Sequence, residues 1–269
     1  MNERSEKPFF SIITVTLNPG TQLTDTVISV LNQSFQDFEI IIKDGGSSDN
    51  SINSLPSDVR IKTITNPDDG IYDAMNQALK LASGDYILFL NAGDSFISGD
   101  VLLKIASLTG EKKPALIYSD YLKGSNKSLI RSPEKLTSSY LMRTMICHQV
   151  CYFKKSCFDN FGGFDLRYKV AADYEFLIRI ILENKQDSLY YPYPTINYRG
   201  GGYSIQNMNQ SLEEVKMIRR QYFLPIRLFF FYTWYLLTFP KQRQYVIEKY
   251  NLDFYYKISN FIKSGGKSR

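Results

Sequence analysis

Apolar and polar positions along the chain fall into blocks that read alternately as strands and helices. Residues 9–17 (FFSIITVTL) form a nearly unbroken, β-branched apolar run, the pattern of a strand buried on both faces. Within 21–33, Leu23, Val27, Val30 and Leu31 share one stripe at helical spacing. Two further strands are expected at 38–43 (FEIIIK) and 59–64, with the turn-rich DGGSSDN of 44–50 between them. Ile71, Ala74, Met75, Ala78, Leu79 and Ala82 mark a second helix, opened by NPDDG at 66–70 and closed by Gly84. A strand at 86–90 follows. This alternation predicts an α/β domain with a mostly parallel, Rossmann-like sheet flanked by helices. Ligands of such sheets sit at the carboxyl ends of the strands, where Thr16, Asn18, Asp44 and residues 91–94 fall.

Further along, 115–120 and 149–153 read as strands, and 173–184 (DYEFLIRIILEN) as an amphipathic helix behind the loop GGFD at 162–165. From Asn207 the pattern is helical throughout. Residues 224–239 (LPIRLFFFYTWYLLTF) are strongly apolar and aromatic. Pro225 and Arg227 interrupt them, and they fall short of the ~20 residues a spanning helix needs, so a surface-lying or core-packed helix is expected. The pattern divides the chain into a main domain at 1–203, with halves at 9–120 and 121–203, and a basic, aromatic, helical region at 204–269.

The stretch LFLNAGD at 88–94 leaves a buried strand and ends in one carboxylate, Asp94. Divalent cations favour such hard oxygen ligands. Asn91 can bond a hydroxyl and Gly93 can admit a close phosphate, although a plain strand-to-loop turn accounts for the same letters. Asp44 before Gly-Gly-Ser-Ser suits an Asx turn. Asp68 and Asp69 precede a helix, where carboxylates satisfy orphan donors and oppose the dipole. Asp173 opens a helix, a capping position. His148, the one histidine of the chain, is either a satisfied structural residue or a partner for a phosphate or an acceptor hydroxyl. Arg167 and Arg179 are candidate anion contacts or exposed-face residues.

The net charge of +5 is unevenly placed. From Lys216 onward eleven basic residues meet two acidic ones, so attraction to an anionic surface concerns that region alone, and no nucleic-acid partner is expected. The 20 Tyr and 18 Phe suit sugar-stacking walls, a membrane interface or a plain core. Cys147, Cys151 and Cys157 lack the paired spacing of a zinc site, which leaves reduced, buried thiols. MNERSEKPFF shows no apolar signal segment, so a cytoplasmic protein is expected.

Taken in order, SIITVTLN, IIIKDGGSSDNS and NPDDGIYDAMNQALKLASGDYILFLNAGD resemble the nucleotide-binding half of family 2 glycosyltransferases with the GT-A fold. HQVCYFKKSCFDNFGGFDLRYKVAADYEFLIR continues the resemblance more loosely to Arg179. The common form of the family reads Asp-x-Asp-Asp where this chain has Asn91, Gly93 and Asp94, and NAGD resembles an N-x-G-D subgroup of surface-polysaccharide glycosyltransferases.

The resemblance implies an inverting enzyme that moves a sugar from a nucleotide-diphosphate sugar, UDP-linked, to a hydroxyl of a saccharide or lipid-linked saccharide. It implies Mn²⁺ or Mg²⁺ on Asp94, Asp44 on the base edge, and Thr16 and Asn18 along the base and ribose. It also places Asp68 and Asn76 near the donor, Asn91 on a ribose hydroxyl and Gly93 beside a phosphate. Asp173 matches the acidic position that serves as base, with His148 and Arg167 on the acceptor or phosphate side. The family often has an Arg near residues 72–76 where this chain has none, which leaves Tyr72 and Asp73 unassigned. On this resemblance 9–120 is the nucleotide-sugar half and 121–203 the acceptor half.

Two rivals stay open. A sugar nucleotidyltransferase would carry a Gly-rich loop with Arg and Lys after the first strand, where this chain has LNPG at 17–20. A catalytically inactive nucleotide-binding scaffold would account for the missing carboxylates. Neither a Q-x-x-R-W motif nor spanning helices appear, which argues against processive synthesis. The C-terminal region suits peripheral attachment to the inner, anionic face of the cell membrane, packing on the domain, or a second copy in a homo-oligomer.

Overall fold

The computed structural model describes residues 7–110 and 113–223. The apolar 224–239 segment and the basic stretch after it lie outside the described residues. The chain divides into two compact units, Met1–Gln206 and Asn207–Arg269.

In the first unit the chain opens with β1 (Phe10–Thr16), α1 (Gln22–Leu31), β2 (Phe38–Asp44), β3 (Ile61–Thr65), α2 (Ile71–Leu79) and β4 (Tyr86–Phe89). There follow β5 (Ser95–Phe96), α3 (Val101–Leu108), β6 (Leu116–Lys123), β7 (Ser128–Ile130), α4 (Ser138–Arg143) and a 3₁₀ turn (His148–Val150). The unit ends with β8 (Cys151–Lys154), α5 (Lys155–Phe161), α6 (Ala172–Ile178), a π-helical continuation (Arg179–Glu183), β9 (Ser188–Tyr198) and α7 (Tyr203–Gln206). In the second unit α8 spans Met208–Tyr222.

The strands form one sheet in the order β3-β2-β1-β4-β8-β6-β9-β5, with β7 beside β6. β3, β2, β1 and β4 run parallel. β8 runs against both β4 and β6, β9 is parallel to β6, and β5 and β7 run antiparallel to their neighbours. The expected α/β sheet with helices on both faces is therefore found. β1 is interior, between β2 and β4, which is why its apolar run is unbroken.

Side-chain alternation splits the core in two. Phe10, Ile12, Ile40 and Leu88 pack with Leu23 and Val27 of α1 and with Leu102 and Ile105 of α3. On the other face Phe89 and Phe153 meet Phe158 of α5, Phe164 and Phe176 of α6 edge-on or stacked, with Phe158 and Phe176 parallel at 4.4 Å. Much of the aromatic content thus serves the core. The three cysteines are free thiols, and burial pushes that of Cys157 up to about 11.

Two local expectations change, and one strand appears that the sequence did not announce. Gly84 does not close α2, whose C-cap is Lys80. A Cβ at Gly84 would lie 2.6 Å from the Ser11 nitrogen, so glycine is needed where the chain crosses β1. The amphipathic helix at 173–184 is instead buried on every side from Ala172 to Ile178. Its Glu175 pairs with Arg179, which also bonds the carbonyls of Phe161 and Gly163, so Arg179 is a tie for the GGFD loop. β9 carries Pro192 and Pro194, which argue against a strand. Register shifts at Ser119/Asp120 and Asp120/Tyr121 absorb them, as bulges do.

Candidate active site

The ends of β1 and β2 form one wall. Asp44 is buried, and its carboxylate accepts from the Gly46 N–H (3.2 Å), the Ser47 N–H (3.0 Å) and the Ser47 hydroxyl (2.5 Å). Asn18, at φ +50°, donates its N–H to Ser47 Oγ (2.7 Å), and its Oδ1 accepts from the Ser48 N–H (2.8 Å). Thr16, half-buried, offers its carbonyl to the Gly45 N–H at 2.9 Å. The two loops are thereby stapled into one rim.

Beneath that rim Lys43 is fully buried. Its ammonium donates to the Asn66 carbonyl (2.6 Å), Asp68 Oδ2 (2.7 Å) and the Asp44 carbonyl (3.1 Å), which matches its three donors with three acceptors. Asp68 thus holds a buried cation in addition to accepting the Gly70 N–H at 3.2 Å.

At the end of β4 the NAGD turn is fixed by α1. Thr26 Oγ1 donates to the Asp94 carbonyl (2.8 Å) and accepts the Gly93 N–H (2.9 Å). Gly93 sits at φ +96°, where a Cβ would come within 2.8 Å of Gln22 Oε1 and 3.3 Å of Arg199 Cδ. The glycine is therefore required by its own backbone and neighbours, and the space expected for a phosphate is flanked by Gln22 and Arg199. Asn91 Oδ1 is buried without a hydrogen-bond partner.

Asp94 is buried, and its Oδ1 accepts the Arg199 N–H at 2.9 Å. Burial pushes its carboxyl up from 3.8 to about 6, against the pull of that N–H and of the charges of His148 and Arg199.

On the opposite side Asp173 lies inside α6, whose N-cap is Ala171, so it does not cap the helix. Its Oδ1 accepts from the Tyr72 hydroxyl (2.7 Å) and the Tyr174 N–H (2.9 Å), and its Oδ2 faces His148 Nδ1 at 2.9 Å. His148 Nε2 is buried without a partner. Burial is the main cause that lifts the Tyr198 hydroxyl to about 12, with the charges of Asp94 and Asp173 adding to it. Both carboxylates and the imidazole therefore share one polar centre at the carboxyl end of β4, beside the end of β9.

Two expected residues are otherwise engaged. The Asn76 amide clasps the backbone of Phe164, donating to its carbonyl and accepting its N–H, each at 2.8 Å. Arg167 is exposed and forms a fork with the Asp165 carboxylate at 2.6 to 3.1 Å. Asp73 accepts from the Asp69 N–H and from Gln77 within the first turns of α2.

Among the described residues no group of three or more His, Cys, Asp or Glu side chains is arranged to hold a metal. The donor set at Asp94 is one buried carboxylate, protonated more readily than usual, in a turn whose Asn91 amide oxygen has no donor. It fits a cation that draws its remaining ligands from phosphates and water.

Residues 11–166 match the sequence model of glycosyl transferase family 2. The chain belongs to that family. A PGL/p-HBAD biosynthesis glycosyltransferase of Mycobacterium bovis is 36% identical over 178 residues, covering 64% of this chain and 69% of the relative.

Among solved structures, S. aureus TarS 1-349 in complex with UDP-GlcNAc superposes with TM-score 0.62 at 17% identity, over 80% of this chain and 67% of that one. Mannosyltransferase PcManGT from Pyrobaculum calidifontis, in complex with GDP-Man and Mn²⁺, gives 0.61 at 14% identity, over 81% and 65%. The chain spans only 39% of a longer TarS chain. The structural likeness shows the GT-A fold.

Several residues of this glycosyltransferase's centre left little trace in the sequence. Lys43 is the last-but-one residue of an apolar strand, and its partner Asp68 lies 25 positions further on. Arg199 was marked only by the three glycines after it, and Thr26 was hidden among the apolar positions of α1.

Proposed function

We propose that this glycosyltransferase moves a sugar, with inversion, from a UDP-sugar to a hydroxyl of a saccharide or lipid-linked saccharide during surface-glycan assembly. The observation that carries the proposal is the meeting of buried Asp94 with the Asp173–His148 pair at the strand ends. The TarS complex with UDP-GlcNAc supports a UDP donor, and the mycobacterial relative, a PGL/p-HBAD biosynthesis glycosyltransferase, supports a biosynthetic sugar transfer.

The rim of Thr16, Asn18 and Asp44 takes the base and ribose, with Lys43 and Asp68 stiffening it from below. The Asn91 amide oxygen, lacking a donor, accepts a ribose hydroxyl. Asp94 would hold Mn²⁺ or Mg²⁺, which would neutralise the diphosphate as it departs; PcManGT with Mn²⁺ supports that choice. The Asp173–His148 pair takes the proton of the acceptor hydroxyl as its oxygen attacks the anomeric carbon. Asn76 and Arg167 would act indirectly, through Phe164 and Asp165. The described residues contain no helix long and apolar enough to cross a membrane; the basic excess after Lys216 would hold the protein to the inner membrane face.

The test is a panel of nucleotide sugars with Mn²⁺ or Mg²⁺, read by product NMR for anomeric configuration. Transfer or hydrolysis of a UDP-sugar with inversion is expected. UDP binding without turnover of any donor would instead identify a nucleotide-binding scaffold.

A further inference from the structure

We propose that Tyr198 and Tyr121 bind the acceptor sugar: the Tyr198 hydroxyl donates to an oxygen of the incoming pyranose, and the two rings take its C–H face. The inference rests on the transferase reading above and deepens it by naming residues that hold the acceptor.

The sheet decides which substrate the pair can meet. The nucleotide rim stands on β1 and β2, whereas Tyr121 and Tyr198 lie near the carboxyl ends of β6 and β9. β4 and β8 come between β1 and β6, with β9 beyond. At about 4.8 Å per strand, β6 is ~14 Å and β9 ~19 Å from β1. That span puts the pair out of reach of the base and ribose.

The reaction itself is close by. Tyr198 precedes Arg199, whose N–H donates to Asp94 Oδ1 at 2.9 Å, and the Tyr198 hydroxyl feels the charges of both Asp94 and Asp173. In an inverting transfer the diphosphate departs on the Asp94 side and the acceptor oxygen arrives from the Asp173 side. A group beside both carboxylates therefore borders the incoming sugar.

The two rings form a wall with unused polar groups. They meet edge-on, with centroids 5.8 Å apart at 83°, a favoured aromatic geometry. The Gly124 N–H donates to the Tyr198 carbonyl at 2.9 Å and ties the end of β9 to the β6–β7 turn. Both rings are half-buried. Neither hydroxyl has a hydrogen-bond partner among the described residues, and neither is enclosed, in contrast to the Tyr152 hydroxyl, which is sealed in unpaired. Beyond Arg199 come three glycines, and a Cβ at Gly201 or Gly202 would meet nothing within 4 Å, so that segment sets no side chain against the wall. A half-exposed ring with a free hydroxyl suits a pyranose, whose axial C–H bonds lie on the ring while its oxygens bond the phenol. Burial above all lifts the Tyr198 hydroxyl to about 12, so at neutral pH it keeps its proton and serves as a donor, not as a base.

The test separates acceptor from donor. Tyr198→Phe keeps the ring and removes the hydroxyl; it is expected to raise the acceptor KM roughly 3- to 10-fold, the size of one neutral hydrogen bond, with donor KM and UDP affinity changed less than about twofold. Tyr198→Ala also removes the ring and should raise the acceptor KM a further ~10-fold. Binding is read without turnover by saturation-transfer NMR, using octyl hexopyranosides of gluco, galacto and manno configuration with UDP and Mg²⁺ present. Transfer to the ring C–H protons of at least one of them is expected in the wild type and is expected to be lost in Tyr198→Ala and Tyr121→Ala.

Equal transfer in the wild type and both alanine variants, or none in the wild type, would overturn the inference. A Tyr198→Phe protein with an unchanged acceptor KM would overturn it too: weakened UDP binding would then move Tyr198 to the donor side, and unaltered constants would leave the pair as packing. A wild-type chain that binds a pyranoside through this pair yet turns over no donor would remove the transferase reading while the sugar subsite stands.

Discussion

The Tyr72 hydroxyl donates to Asp173 Oδ1 over 2.7 Å and joins α2 to α6 across 101 positions of sequence. This bond links α2, which follows the β1–β2 rim, to the helix that carries Asp173 of the Asp173–His148 pair. Tyr72→Phe removes a donor from a buried carboxylate and from the Val170 carbonyl. The expected loss is about 1–3 kcal/mol of stability in urea unfolding, with kcat reduced and UDP affinity unchanged. An unchanged unfolding midpoint would show that the bond contributes nothing.

The buried Lys43–Asp68 pair should respond asymmetrically. Asp68→Ala strands a fully buried ammonium and is expected to destabilise by about 3–5 kcal/mol. Lys43→Met leaves Asp68, whose side chain is 18% exposed, able to rehydrate, and should do less harm. Chemical denaturation of both variants checks the order; the reverse order would mean that the carboxylate, not the ammonium, needs the pair.

Asp94 predicts a pH dependence whose sign is fixed. Its carboxyl titrates near 6 when folded against 3.8 ordinarily, so between those values the folded state retains a proton that the unfolded chain releases. Stability is then full below about 4 and falls as pH rises to about 6, by roughly 3 kcal/mol for a shift of this size. Melting curves of Asp94→Asn should be flatter across that window. Mn²⁺ should raise the wild-type Tm more at pH 7 than at pH 5, and should not raise that of Asp94→Asn; equal shifts in the two proteins would place the ion elsewhere.

Gly93→Ala combines backbone strain at φ +96° with the close approach of Gln22. A loss of about 1–3 kcal/mol is expected, and adding Gln22→Ala should recover only the contact part. Thermal melts of the single and double variants separate the two contributions. Full recovery would show that the backbone conformation carries no strain.

The sheet was legible where burial is complete. β1, β2 and β4 lie between neighbours and announced themselves as unbroken apolar runs, and α2 by its stripe. β9 was not, because its prolines are tolerated only through bulges formed against β6, a tertiary arrangement. α3 was missed because VLLKIASL is apolar on several sides and has no clean period. In the site, Asp94 and Asp44 were visible as acids at strand ends. The contact between His148 and Asp173, 25 positions apart, was not, since it arises only when the 3₁₀ turn before β8 meets α6. Asn76 was placed near the donor by resemblance alone; that its amide also clasps Phe164 of a loop 88 positions away is a tertiary fact the sequence does not carry.

The bond that steadies Asp94 comes from the main chain of residue 199 and not from its guanidinium. The support is therefore blind to side-chain identity: nineteen of the twenty amino acids can supply it, and proline alone cannot. Position 199 can drift in charge and size, retuning the field around Asp94, while the carboxylate keeps its place.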